Sequence, residues 1–136
     1  MSSYLARLLG FAAPTMGFVL ALHMQREQGW GEMLDGLVSG LAFVLPFAAA
    51  VALRARYAPA PAGAPPRGGF HELAFGLLAS LVAWCALWLA WSLPALQPFR
   101  GNALAINAVT MGLAGIVLPP VRYERWPRLP AEVNPI

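Results

Sequence analysis

The sequence predicts an all-α polytopic membrane protein, one domain of four transmembrane helices packed as a bundle. Three observations carry that expectation. Hydrophobic residues make up 59% of the 136 positions and charged residues 11%, where soluble domains average about 25% charged. The apolar residues fall into four runs, each close to the ~20 residues that cross the hydrocarbon core of a bilayer. A chain this short also buries too small a fraction of its surface to hide so much apolar area in a soluble core.

The first helix is expected over 4–23. Pro14 interrupts the run and no small-residue cleavage site follows it, so it reads as a retained helix rather than a signal peptide. The second is expected over 33–53, the third over 70–93 and the fourth over 103–121. Polarity does not alternate along these runs, which excludes barrel strands. The connections are of three kinds. Met24 to Glu32 is short and polar. The stretch 54–69 holds four prolines and three glycines, a composition of extended, semi-rigid linkers. Pro94 to Gly101 reads as a tight turn, and a short charged tail, broken by prolines, follows over 122–136. Pro14 and Pro46 each remove a backbone hydrogen bond inside a helix and invite a bend.

Orientation follows from arginine, because the chain has no lysine. Four spans place the N-terminus, the second loop and the tail on one side, with Arg7, Arg54, Arg56, Arg67, Arg122, Arg125 and Arg128. The other side has Arg26 and Arg100. The positive-inside rule then puts both termini in the cytoplasm, in the inner membrane, with the lipid bilayer as the first partner. The arginines are not gathered in one patch among exposed aromatics, so no nucleic acid is expected as a partner.

Helices in lipid associate through small residues. Gly36 and Gly40 on the second helix, Gly76 and Ser80 on the third, and Gly112 on the fourth are the candidate packing positions, with Gly10, Ala13 and Gly17 as small residues on the first. Trp84, Trp88 and Trp91 recur at helical spacing on one face of the third helix. They form a candidate lipid or partner face, and more sharply a contact face for a pigment, a quinone or a partner helix.

Polar groups near the outer face form the candidate chemical cluster. His23 ends the first helix, Glu32 and Asp35 open the second, and Asn102 opens the fourth with Asn107 deeper. A carboxylate beside an imidazole can pass protons near neutral pH, bind a cation or orient a headgroup. Carboxylates at a helix start also simply complement its dipole. On the inner side His71 and Glu72 open the third helix near Arg7 and the linker arginines. His23 and His71 fall at opposite faces, so they cannot hold one haem. The chain has no GxGxxG, P-loop or HExxH pattern and a single cysteine, Cys85, so no catalytic residue, metal site or cofactor is expected. Two functions remain. The first is a non-enzymatic accessory or assembly subunit of a larger inner-membrane complex, partnered by other membrane proteins or by itself. The second is a small oligomeric transporter or channel for a proton, an ion or a small polar solute, with Asp35, His23 and Asn107 along the path.

Overall fold

The computed structural model describes residues 3–25, 29–58 and 67–119. Within them the chain is all-helical: α1 (Ser3–Met24), α2 (Trp30–Tyr57), α3 (Gly69–Ser92), a 3-10 segment (Pro94–Asn102) and α4 (Ala103–Val117). The three helices α1 to α3 are long and apolar enough to cross a membrane. At 1.5 Å per residue, even the shortest of them, the 22-residue α1, runs about 33 Å, against about 30 Å of hydrocarbon. The fourth is shorter, 15 residues. The linker 59–66 and the tail 120–136 lie outside the described residues, as do Arg122, Arg125 and Arg128.

The boundaries differ from the expected ones on α2, α3 and α4 and in the connection between α3 and α4, each with a local cause. The second helix begins at Trp30 and ends at Tyr57, beyond both ends of its apolar run. A helix needs backbone hydrogen bonds rather than apolar side chains, and Glu32, Arg54 and Arg56 supply charges that suit its terminal dipoles. The fourth helix stops at Val117 and not at Val121, because Pro119 drives Leu118 to extended backbone (φ −67°, ψ 150°). Leu93, before Pro94, is likewise extended (φ −72°, ψ 124°) and ends α3. The expected tight turn at Pro94 to Gly101 is instead a nine-residue 3-10 helix with Pro at its first turn, where a missing N–H costs nothing. Both α1 and α2 continue through Pro14 and Pro46.

α1 packs against α2 and α3, α2 against α4, and α4 closes more lightly against α3. The four helices therefore stand in a ring, with α1 opposite α4 and α2 opposite α3. Glycines set the closest approaches. A Cβ at Gly76 would collide with the Arg7 carbonyl oxygen and lie 2.8 Å from Phe11 N and 2.9 Å from Gly10 C. One at Gly10 would strike the Leu73 carbonyl oxygen and lie 3.2 Å from Gly76 Cα. Backbones of α1 and α3 thus touch where both partners lack side chains, the geometry small residues permit between helices in lipid.

The centre of the ring is filled. Phe11 of α1 stacks on Phe47 of α2 with ring centroids 3.7 Å apart and planes 4° from parallel. Met111 of α4, Leu87, Ala79 and Ala83 of α3, and Val44 and Val51 of α2 complete one buried apolar cluster. By contrast, Leu34, Val38, Leu45, Leu81, Trp88 and Val109 are each more than half exposed. A core of modest residues inside and large apolar ones outside is the distribution a lipid solvent permits.

Candidate functional site

The structure concentrates buried polarity in two places, one at an end of the helix ring and one halfway along it.

The end site begins with Arg7, the fifth residue of α1, whose side chain is 1% exposed. Its Nε and Nη2 both converge on Glu72 Oε2, at 2.7 and 2.6 Å. Nη1 donates to the carbonyl of Pro119, just past α4. One guanidinium therefore joins α1, the first turn of α3 and the end of α4. Glu72 is 2% exposed, and its other oxygen lies 3.9 Å from Arg67 Nη1. Both Arg7 and Arg67 also approach the face of Phe75, at 5.5 and 5.4 Å from the ring centroid. Cations favour the negative face of an aromatic ring. The Nε of Arg54 is buried and has no hydrogen-bond partner among the described residues. The pairing places the start of α1, the start of α3 and the end of α4 at one end of the ring. The hydrogen bond from Tyr4 Oη to the Ala48 carbonyl (3.3 Å) brings the second half of α2 there too.

The second site lies midway along α1 and α3. Thr15 Oγ1 and Ser80 Oγ are 3.0 Å apart, and Trp84 Nε1 donates to Thr15 Oγ1 at 3.4 Å. Thr15 and Ser80 are buried, at 0% and 3% exposure. Trp84 is wedged between the rings of Phe18 (4.8 Å, edge-on) and Phe43 (5.0 Å, tilted). This cluster passed unseen in the sequence, where Ser80 reads as a small packing residue and Thr15 as one polar residue in an apolar run. The available signal was depth: each lies about eleven or twelve residues into its helix, where a hydroxyl must find a partner or face a cost.

The outer-face residues do not come together as one cluster. The His23 Nδ1–H donates to the Val19 carbonyl at 2.9 Å, and Nε2 shares a hydrogen bond with Ser39 Oγ at 3.4 Å. The imidazole is therefore used up in joining α1 to α2. Asp35 and Asn102 are exposed and Glu32 is half-buried; among the described residues no hydrogen bond or ion pair joins any of them to His23. Asn107 Oδ1 accepts from Trp91 Nε1 at 3.4 Å, linking α4 to α3. Thr110 turns back to the Ile106 carbonyl of its own helix.

The packing candidates fall at the following places. Gly36 is buried against Leu20 and His23, and Gly40 against Met16. Gly76 faces the α1 backbone, and Ser80 the Thr15 hydroxyl. A Cβ added at Gly112 would meet only the Pro46 carbonyl oxygen, at 4.0 Å, whereas one at Gly115 would lie 2.9 Å from both Ala50 Cβ and the Phe47 carbonyl oxygen. The tryptophans do not form one outward face. Trp84 is turned in toward α1 and α2, Trp91 reaches Asn107 on α4, and Trp88 is 69% exposed. Polar indole N–H groups seek buried acceptors, and this divides residues that share a helical face.

Comparisons with protein-family models, with curated proteins and with solved structures gave no match.

Proposed function

We propose that the chain is a four-span inner-membrane protein that works through its outer surface, as an accessory or assembly subunit of a larger membrane complex. In this reading α1, α2 and α3 cross the bilayer and α4 makes the fourth span, with the 3-10 segment that holds Arg100 as the outer connection before it. Arg7, Arg54, Arg56 and Arg67 lie at the helix ends that the positive-inside rule assigns to the cytoplasm.

The observation that carries the reading is the filled interior. Phe11, Phe47 and Met111 are fully buried at the centre of the ring, and Val44, Val51 and Leu87 pack around them. A path for an ion through one such ring would need these side chains to move apart. The buried charges Arg7 and Glu72 are spent on each other and on holding three helix ends together. What remains for function is the outside: the ridge of Leu81, Trp88 and Leu89 on α3, each more than half exposed.

Reconstitution tests this directly. The purified protein in liposomes should give proton and monovalent-cation flux no greater than empty liposomes. Flux that depends on the protein, and that Asp35→Asn abolishes without loss of the folded protein, would establish the transporter reading in its place.

A further inference from the structure

The starts of α1 and α3 and the ends of α2 and α4 meet at the arginine-bearing end of the ring. There Arg7 is paired with Glu72 and the Pro119 carbonyl, Arg67 lies beside Glu72, and Arg56 lies over the Tyr57 ring, 5.9 Å from its centroid. Arg54 differs from all three. It makes no hydrogen bond or ion pair among the described residues, and its Nε is buried.

The contact of α2 with α4 fixes its place. A Cβ at Gly115 would lie 2.9 Å from Ala50 Cβ and the Phe47 carbonyl oxygen and 3.3 Å from Val51 Cγ2. Those three residues mark the side of α2 turned to α4. Arg54 follows Ala50 by four positions and Val51 by three, so it stays on that side one turn further on. α4 ends at Val117, two residues past Gly115, while α2 runs on to Tyr57. Arg54 therefore stands at a step, where α2 continues and α4 has stopped. The step lies at the edge of the hydrocarbon. Arg54 directly follows the apolar run 33–53, which covers about 31 Å by helical rise, and the hydrocarbon core is about 30 Å thick. Lipid phosphates begin at that level.

We propose that this step binds the headgroup of an anionic phospholipid, its phosphate on the Arg54 guanidinium. A guanidinium offers a planar fork of donors that matches two phosphate oxygens. Charge selects an anionic headgroup over a zwitterionic one. Among the described residues at this end, four arginines (Arg7, Arg54, Arg56 and Arg67) stand with one carboxylate, Glu72, which leaves a net charge of +3. A zwitterionic headgroup brings a cationic group of its own, and Glu72 does not receive it: the carboxylate is 2% exposed, holds Arg7 at 2.6 Å and has Arg67 at 3.9 Å. Basic pockets between spanning helices on the cytoplasmic side are a recurrent site for anionic headgroups. The inference rests on the membrane reading and not on the accessory-subunit reading, so flux or partner data leave it standing.

The test uses the full chain in nanodiscs of phosphatidylcholine with phosphatidylglycerol as the minor lipid. Native mass spectrometry of chains released from the discs should find one phosphatidylglycerol retained per chain, in excess of its share of the bilayer. Arg54→Gln should weaken that retention roughly tenfold or more, the loss of a charge-assisted hydrogen bond, with helicity by circular dichroism unchanged. Arg54→Lys keeps the charge without the fork and should fall between the parent chain and Arg54→Gln. Arg56→Gln, at an exposed position, should cost less than about fivefold, as exposed charges do. Retention that mirrors the disc composition, or that is equal in the parent chain and Arg54→Gln, would overturn the proposal. Displacement of the retained lipid by inorganic phosphate would overturn it as well. A chain that does not enter the discs at all would refute the membrane reading itself, a result distinct from entry without lipid selection.

Discussion

The replacement Glu72→Gln isolates the charge of the buried pair while keeping its shape. Gln retains an oxygen that can accept from Arg7 Nε, so packing and one hydrogen bond survive. What is lost is the anion facing a guanidinium at 2.6 to 2.7 Å, with both side chains at most 2% exposed. Two unit charges about 4 Å apart attract by about 4 kcal/mol at an effective dielectric constant near 20. Leaving one member of a buried pair alone costs about 3–5 kcal/mol in measured cases. Arg67, 3.9 Å from the other carboxylate oxygen, adds repulsion once the carboxylate is gone. Glu72→Gln should therefore destabilise the protein by about 3–5 kcal/mol. Arg7→Met should cost less, because Arg67 remains beside the orphaned carboxylate. Replacing both, as Arg7→Met with Glu72→Leu, should recover most of the loss, since a well-packed apolar pair can match a buried ionic one. The assay is equilibrium unfolding by titrating dodecyl sulfate into mild detergent, followed by circular dichroism. If Glu72→Gln changes stability by less than about 1 kcal/mol, or if the double replacement is as damaging as the worse single one, the pair does not hold the helix ends as argued.

Three further outcomes are expected. Gly76→Ala should destabilise by about 1–3 kcal/mol, as overpacking does, because its methyl would press on the α1 backbone; Gly17→Ala, with nothing within 4 Å, should be neutral or slightly stabilising in the same unfolding assay. Phe47→Ala removes half of the central stack and should cost about 3–5 kcal/mol; equal stability to the parent chain would mean that the core is not packed as described. Asp35→Asn, at an exposed position, should leave stability within about 0.5 kcal/mol and leave assembly unchanged; loss of the folded protein would mean that the carboxylate has a structural partner.

How far the sequence could be read divides along a physical line. Hydropathy reports the medium a segment prefers, so the apolar runs located all four helices. It is blind to where a helix ends outside that medium, which is why Trp30 to Glu32 and Arg54 to Tyr57 were missed on α2, and why Pro119 rather than hydropathy ended α4. Arginine counting treated Arg7 as a loop charge, yet α1 carries it into the interior to meet Glu72. Those two residues are 65 positions apart, and only the crossing of α1 and α3 at Gly10 and Gly76 brings them together. The same crossing sets Thr15 opposite Ser80. Conversely, the outer polar groups read as one cluster because three helix ends can converge, whereas His23 is drawn to Ser39 and Asp35 is exposed. Long-range register decides polar pairing, and it leaves little trace in a single sequence.

Native mass spectrometry of the tagged protein, extracted with its surrounding lipid in polymer-bounded particles, tests the accessory-subunit reading most directly. The account predicts a defined complex in which this chain is joined at fixed stoichiometry by different membrane proteins. A chain found alone, or solely as a complex of its own copies, would contradict it.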